Sequence, residues 1–171
     1  MKKSNSSMQL TRAADYAVRV MIHLASLPPG QRVSLPALAQ ATDAPESFLS
    51  KVLQSLARSG FIASRRGQSG GFTIAPRGLA ASMLQVIEAI DGPICLNVCL
   101  ISGRACHRSA KCPAHPVWVQ AQSAMVAVLS GATIAEMACE PCAHRAHKAA
   151  PPLVSPARFA IPHPKVFQSN H

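Results

Sequence analysis

Leu49, Val52, Leu53 and Leu56 recur at the spacing of one helical stripe, and Ser47, Lys51, Gln54 and Arg58 gather on the opposite side at spacings of four, three and four. A helix patterned this way over 46–59 buries one face and offers the other, so the surrounding chain must supply a small core on one side only. The neighbouring segments do so. Leu10–Leu27 reads as a helix with Thr11 as N-cap and Ala13, Ala17, Val20, Met21 and Leu24 as its apolar stripe. Pro28-Pro29-Gly30 ends it, and Val33–Ala41 holds a short second helix with Leu35, Leu38 and Ala39 inward. Asp43-Ala44-Pro45 is a turn, and Gly60 suits the C-terminal cap of the third helix.

Phe61–Ser64 and Phe72–Ile74 are short strand candidates around the tip Arg65-Arg66-Gly67-Gln68-Ser69-Gly70-Gly71, the pattern of a hairpin. Ser82–Ile90 is a further helix, with Met83, Val86, Ile87 and Ile90 apolar. Gly92–Pro113 is a cysteine-rich loop without periodicity. His115–Ser130 reads as a long amphipathic helix with Trp118, Ala121, Met125, Val128 and Leu129 on one face, and Thr133-Ile134-Ala135-Glu136 is a capping box opening a last short helix. The expected architecture is mainly α: a winged helix-turn-helix with a β-hairpin wing and a long C-terminal dimerisation helix. Its divisions are a flexible leader (1–9), a winged-helix domain (10–91), a cysteine-rich loop (92–114), a dimerisation helix with a short terminal helix (115–138) and a disordered tail (139–171). With 49% apolar but only 4% aromatic residues, the core must come from aliphatic side chains and Met, which suits small helical packing better than a β-sandwich.

Lys and Arg number 17 against 7 Asp and Glu, and the excess is uneven: residues 1–82 hold ten basic and three acidic residues. A basic half calls for a polyanionic partner, with nucleic acid ahead of an anionic membrane. Lys51 and Arg58 suit guanine edges or phosphates and Gln54 suits adenine, with Ser47 alongside. Phe48 flanks this face, where helix packing is its more ordinary role. Arg65, Arg66, Gln68, Ser69 and Gly70 form the cationic tip, fit for minor-groove or phosphate contact. So small a domain covers few base pairs, so a homodimer on an approximately palindromic double-stranded operator is expected. No nucleotide-binding glycine motif or Ser-His-Asp set sits on a suitable element, and acids are few, which argues against an enzyme.

Met1–Ser7 is basic and polar with no continuous apolar run after it, and no stretch reaches membrane-spanning length. The expectation is a cytoplasmic chain without membrane association, whose six cysteines are reduced and suited to metal rather than disulfides. Cys99, Cys106 and Cys112 lie in one loop, with His115 three residues on. Three thiolates with a nitrogen or oxygen donor can hold an iron–sulfur cluster or zinc, and the wide gaps favour the larger group. Cys95 reads as a non-ligand. Cys139 and Cys142 form a Cys-x2-Cys pair with His144 and His147 beyond, a possible second metal site.

The run Met8–Val18, the stretch from Gly60 through Arg65-Arg66-Gly67-Gln68-Ser69-Gly70-Gly71-Phe72, and Cys99…Cys106…Cys112-Pro113-Ala114-His115-Pro116-Val117-Trp118 together resemble the Rrf-type IscR, NsrR and RirA family of iron–sulfur winged-helix regulators. The likeness runs from about Met8 to Ala138. It implies a homodimeric repressor, sometimes an activator, whose operator affinity follows an iron–sulfur cluster and so reports nitric oxide, redox state or iron status. It also implies Cys99, Cys106 and Cys112 as thiolate ligands. In the [2Fe–2S] branch similar to IscR the position of His115 is the fourth ligand; in the [4Fe–4S] branch similar to NsrR it is an Asp near the start of the first helix, matched by Asp15. Two departures stand out: six residues separate Cys99 from Cys106 where IscR has five, and Ser50 stands where IscR has Glu. The alternative is a cluster-free winged-helix repressor with thiol-based redox sensing or a zinc site.

Overall fold

The computed structural model describes residues 10–67, 70–100 and 112–139. Helix α1 (Arg12–Ala25) starts where Thr11 accepts a hydrogen bond from the Ala14 amide, and buries Ala14, Ala17, Val18, Val20, Met21 and Leu24. Ser34 caps α2 (Leu35–Thr42) in the same way, and Asp43 in the left-handed region (φ 52°) ends it. Asp tolerates that conformation better than most residues. Helix α3 (Glu46–Arg58) follows across this turn and buries Leu49, Val52, Leu53 and Leu56, the stripe the spacing predicts. Gly60 then turns the chain out at φ +72°.

Strands β1 (Ile62–Arg65) and β2 (Gly71–Ile74) pair antiparallel with Ile62 opposite Ile74 and Arg65 opposite Gly71. The hairpin does not stand alone. Val33, just before α2, exchanges both backbone hydrogen bonds with Phe72, each 2.9 Å. The wing is thereby tied to the segment before α2 through β2, in the half of the ladder nearer the turn.

A short helix that periodicity does not announce, α4 (Pro76–Leu79), seats Gly78 against the Phe61 carbonyl just before β1. Helix α5 (Met83–Asp91) opens with a capping box between Ser82 and Gln85 and buries Val86 and Ile87 against α1 and α3. A single 3-10 turn (Val98–Leu100) lies in the loop that follows. Helix α6 (His115–Gly131) packs on α5 and on that turn, and none of its residues is buried. The chain then returns: Met83 donates to the Ala132 carbonyl and Ile134 to that of Ala81. This return carries α7 (Ile134–Ala138) into the core, with Ile134 wholly buried beside α1. The capping box expected at Thr133 and Glu136 is formed. The Thr133 amide and hydroxyl hold the Glu136 carboxyl below its ordinary pKa. No helix among the described residues is long and apolar enough to cross a membrane.

Candidate nucleic-acid interface and cysteine loop

Burying the leucine–valine side of α3 turns its other side to solvent. Ser47, Lys51, Gln54 and Arg58 are all exposed there. Arg58 donates one guanidinium N–H to Ser55 at 3.2 Å, which steadies the head over its own helix and keeps the remaining donors outward. Phe48 is 41% exposed and meets Tyr16 edge-on, ring centroids 5.7 Å apart, so it both packs on α1 and borders the polar face. On the wing, Arg65 and Arg66 are exposed. Gly70 serves the wing's own turn: a Cβ there would lie 2.4 Å from the Arg65 carbonyl oxygen. Its missing side chain is thus needed for the tip to close, whatever approaches from outside. Gln68 and Ser69 lie outside the described residues.

The cysteine loop leaves the domain at a fixed point. The Asp91 carboxylate, at the end of α5, accepts from the Thr11 amide (3.2 Å) and hydroxyl (2.6 Å) at the start of α1. A carboxylate at a helix N-terminus also meets the positive end of the helix dipole. Gly92 (φ +82°) then reverses the chain. Cys95 is exposed and Cys99, in the 3-10 turn, is half-buried. Cys112 is half-buried and ends the loop three residues before α6, its carbonyl accepting from the His115 amide at 3.1 Å. The His115 Nδ1 is buried and has no hydrogen-bond partner among the described residues. Cys106 lies outside them, and among those described no three His, Cys, Asp or Glu side chains converge as a metal site. Asp15 is half-exposed and paired with Arg19 at 2.8 Å. Cys139 is exposed at the end of α7, while Cys142, His144 and His147 fall outside the described residues.

One residue escapes the sequence reading. The Gln122 side-chain amide, on α6, accepts from the Leu96 amide (2.9 Å) and donates to the Ile94 carbonyl (2.7 Å). Spacing gives no hint of it, because its partners are backbone atoms 26 and 28 residues away.

The stripe expected on α6 divides into two ridges. Trp118, Met125 and Leu129 are half-buried, and Leu129 packs on the domain core. Ala121 and Val128 belong instead to an exposed ridge with Val117 and Ala124, at spacings of four, three and four. Val117 is 52% and Val128 54% exposed. An apolar ridge standing free on a helix with no buried residue has the composition of a contact surface.

Comparison with known proteins agrees with this architecture. The family model described as Rrf2, iron-dependent transcriptional regulator, matches residues 10–140. The HTH-type transcriptional regulator Rv1287 of Mycobacterium tuberculosis is 31% identical over 131 residues, covering 77% of this chain and 81% of its own. Among solved structures, CymR, the global cysteine regulator of B. subtilis, superposes with a TM-score of 0.63 at 23% identity over 76% of this chain and 95% of its own. T. potens IscR gives 0.58 at 23% identity, over 75% and 85%. At these identities the two structures speak for the fold.

Proposed function

The chain belongs to the Rrf2 family of DNA-binding transcriptional regulators, and from that premise we propose that it acts as a homodimer, most simply a repressor, whose operator affinity is set by an iron–sulfur cluster. The observation that carries the sensing half is the His115 nitrogen, buried and unpartnered three residues after a half-buried cysteine. Buried polar atoms are nearly always satisfied, so an exception beside a soft donor is where an inorganic ligand fits. The donor set agrees in kind, with thiolates and an imidazole being the usual ligands of such clusters.

In this reading Cys99, Cys106, Cys112 and His115 hold the group. Asp15 is the weaker candidate for the fourth position, since Arg19 already engages its carboxylate. When bound, an iron–sulfur cluster supplies iron that reacts with nitric oxide or oxygen and is lost under iron scarcity. The residues of the chain do the rest. Asp91 fixes the loop's entry to α1, and Cys112 and His115 fix its exit to α6. The loop therefore joins the DNA-reading head to the helix proposed to pair two subunits, and ordering it biases how the two heads are posed. Ser47, Phe48, Lys51, Gln54 and Arg58 face the major groove, and Arg65, Arg66, Gln68, Ser69 and Gly70 follow the adjoining backbone. A second reading, thiol-based sensing without a cluster, draws on the exposed Cys95 and on the fact that an oxidized form of S. aureus CymR, a structural neighbour, has been solved.

Anaerobic native mass spectrometry separates the two readings. The expected result is a dimer carrying iron and sulfide, whose mass gives the cluster as [2Fe–2S] or [4Fe–4S]. His115→Ala should weaken cluster retention on the order of tenfold or more, and Asp15→Ala should leave it nearly unchanged. A colourless, iron-free protein with full operator affinity would end the cluster reading in favour of thiol sensing.

The wing makes a separate prediction. Arg66→Ala should weaken binding to all duplexes alike and lower the salt dependence by about 0.9 per subunit. An unaltered slope of log affinity against log salt would remove the wing from the interface.

A further inference from the structure

We infer that Gln122 is the positioning residue of the cysteine loop: its side-chain amide fastens the Ile94–Leu96 backbone to α6, so that both ends of the loop ride on one helix. The inference rests on the cluster reading above and adds to it the means by which loop and helix move together.

The geometry is specific. Gln122 offers its carbonyl to the Leu96 amide at 2.9 Å and its amide to the Ile94 carbonyl at 2.7 Å. That is the exchange a neighbouring β-strand would make with an extended segment, performed by one side chain. Cys95 lies between the two bonded residues, and the turn carrying Cys99 begins two residues after Leu96. Gln122 is also seven residues, about two helical turns, past His115 and so on the same side of α6. His115 and the Cys112 carbonyl hold the loop's exit at the base of that side. The entry is thus clamped about 10 Å further along the same helix.

Two consequences follow. The stretch of loop left to fit around a cofactor shortens, since Ile94–Leu96 at its start are already held against a rigid element; pre-organised ligands bind at lower entropic cost. And only Gly92 and Pro93 separate the Asp91 anchor on the reading head from the Gln122 anchor on α6. A pull on the loop is therefore delivered to α6 and to the head at once. Gln122 is itself only half-buried, on a helix none of whose residues is buried. Its loss should accordingly leave the reading head folded.

The test uses the full-length protein, first without cofactor. Hydrogen exchange should find the Leu96 amide protected in the wild type, freely exchanging in Gln122→Leu, and partly protected in Gln122→Glu, which keeps the acceptor for Leu96 and loses the donor to Ile94. Core amides such as those of Leu53 and Val86 should exchange alike in all three. After anaerobic reconstitution with iron and sulfide, loss of visible absorbance under a chelator should run on the order of tenfold faster in Gln122→Leu, with Gln122→Glu between. Equal loss rates in a wild type and variants that all carry the cluster would overturn the inference, and so would a Leu96 amide indifferent to the substitutions. Failure of the wild type itself to hold a cluster is read before any variant; it overturns the cluster reading, and this inference with it. Should Gln122→Leu lose protection of its core amides, Gln122→Glu decides by the same criteria.

Discussion

Replacing Val117 and Val128 together by Asp should yield a monomer that binds operator DNA at least about a hundredfold more weakly than the parent protein. The two valines lie on the free ridge of α6, each more than half exposed. In a two-fold dimer the same ridge meets itself, so each substitution places its carboxylate in the interface twice. Burying unpaired carboxylates there is prohibitive, and leaving them solvated forces the helices apart. The DNA effect follows from geometry. In the proposed dimer one reading head covers a short half-site, and the second head acts as a tethered ligand at an effective concentration near the millimolar range. Without pairing, only the single-head affinity remains. Both valines are more than half exposed, so thermal stability of the head should be little changed. Light scattering after size exclusion reads the first effect and mobility shift on a full operator reads the second. A dimer of unchanged affinity would show that the subunits pair elsewhere.

How much of this could be read from the chain depends on how far apart the partners lie. The Thr11 cap, the α3 stripe, the hairpin and the Thr133–Glu136 capping box all rest on contacts within four residues or on a single turn. Local pattern therefore reaches them. Ser82 and Gln85 carry the same kind of signature as Thr133 and Glu136, and a search for it finds the start of α5 as readily. Helix α4 is a single turn, too short for any period to register. The Thr11–Asp91 tie, the Val33–Phe72 bridge and the Gln122 clamp join residues that no window spans.

The site divides along the same line. The exposed face of α3 is the complement of its buried stripe, so Ser47, Lys51, Gln54 and Arg58 are legible at once. Loop donors are legible as residue types, because Cys99, Cys106, Cys112 and His115 share a short segment. Whatever arrangement these donors take is set by the fold of the loop, which spacing does not encode. Nor does periodicity separate the two ridges of α6: Trp118 and Val128 look equivalent until α5 is packed against one side. The return of α7 to the core is hidden in the same manner, since Ile134 finds its partners on α1, more than a hundred residues earlier.

Gly78→Ala is expected to be the most damaging conservative change in the domain, costing about 3 kcal/mol of stability. A Cβ at this position would stand 2.1 Å from the Phe61 carbonyl oxygen, 2.9 Å from the end of Met21 and 3.0 Å from a methyl of Ile74. Met21 can swing away, but the carbonyl cannot. It accepts the Ala75 amide at 3.0 Å, and the Phe61 amide is itself bonded to the Leu56 carbonyl, also 3.0 Å. Moving Phe61 therefore breaks the junction where α3 passes into β1. The alternative, lifting α4, withdraws the Ala81 carbonyl that receives the Ile134 amide, and with it the seat of α7. Either relaxation spoils a bonded junction, which is why the penalty belongs at the upper end for an added methyl. For a domain of this size the melting temperature should fall by about 10 °C. The measurement is a calorimetric or circular-dichroism melt of Gly78→Ala beside Ala80→Gly, a change at an exposed position of the same turn. A melt of Gly78→Ala within about 2 °C of the parent would mean that Gly78 stands farther from the Phe61 carbonyl than the 2.1 Å Cβ contact implies. The junction between α3 and β1 would then be looser than its hydrogen bonds require.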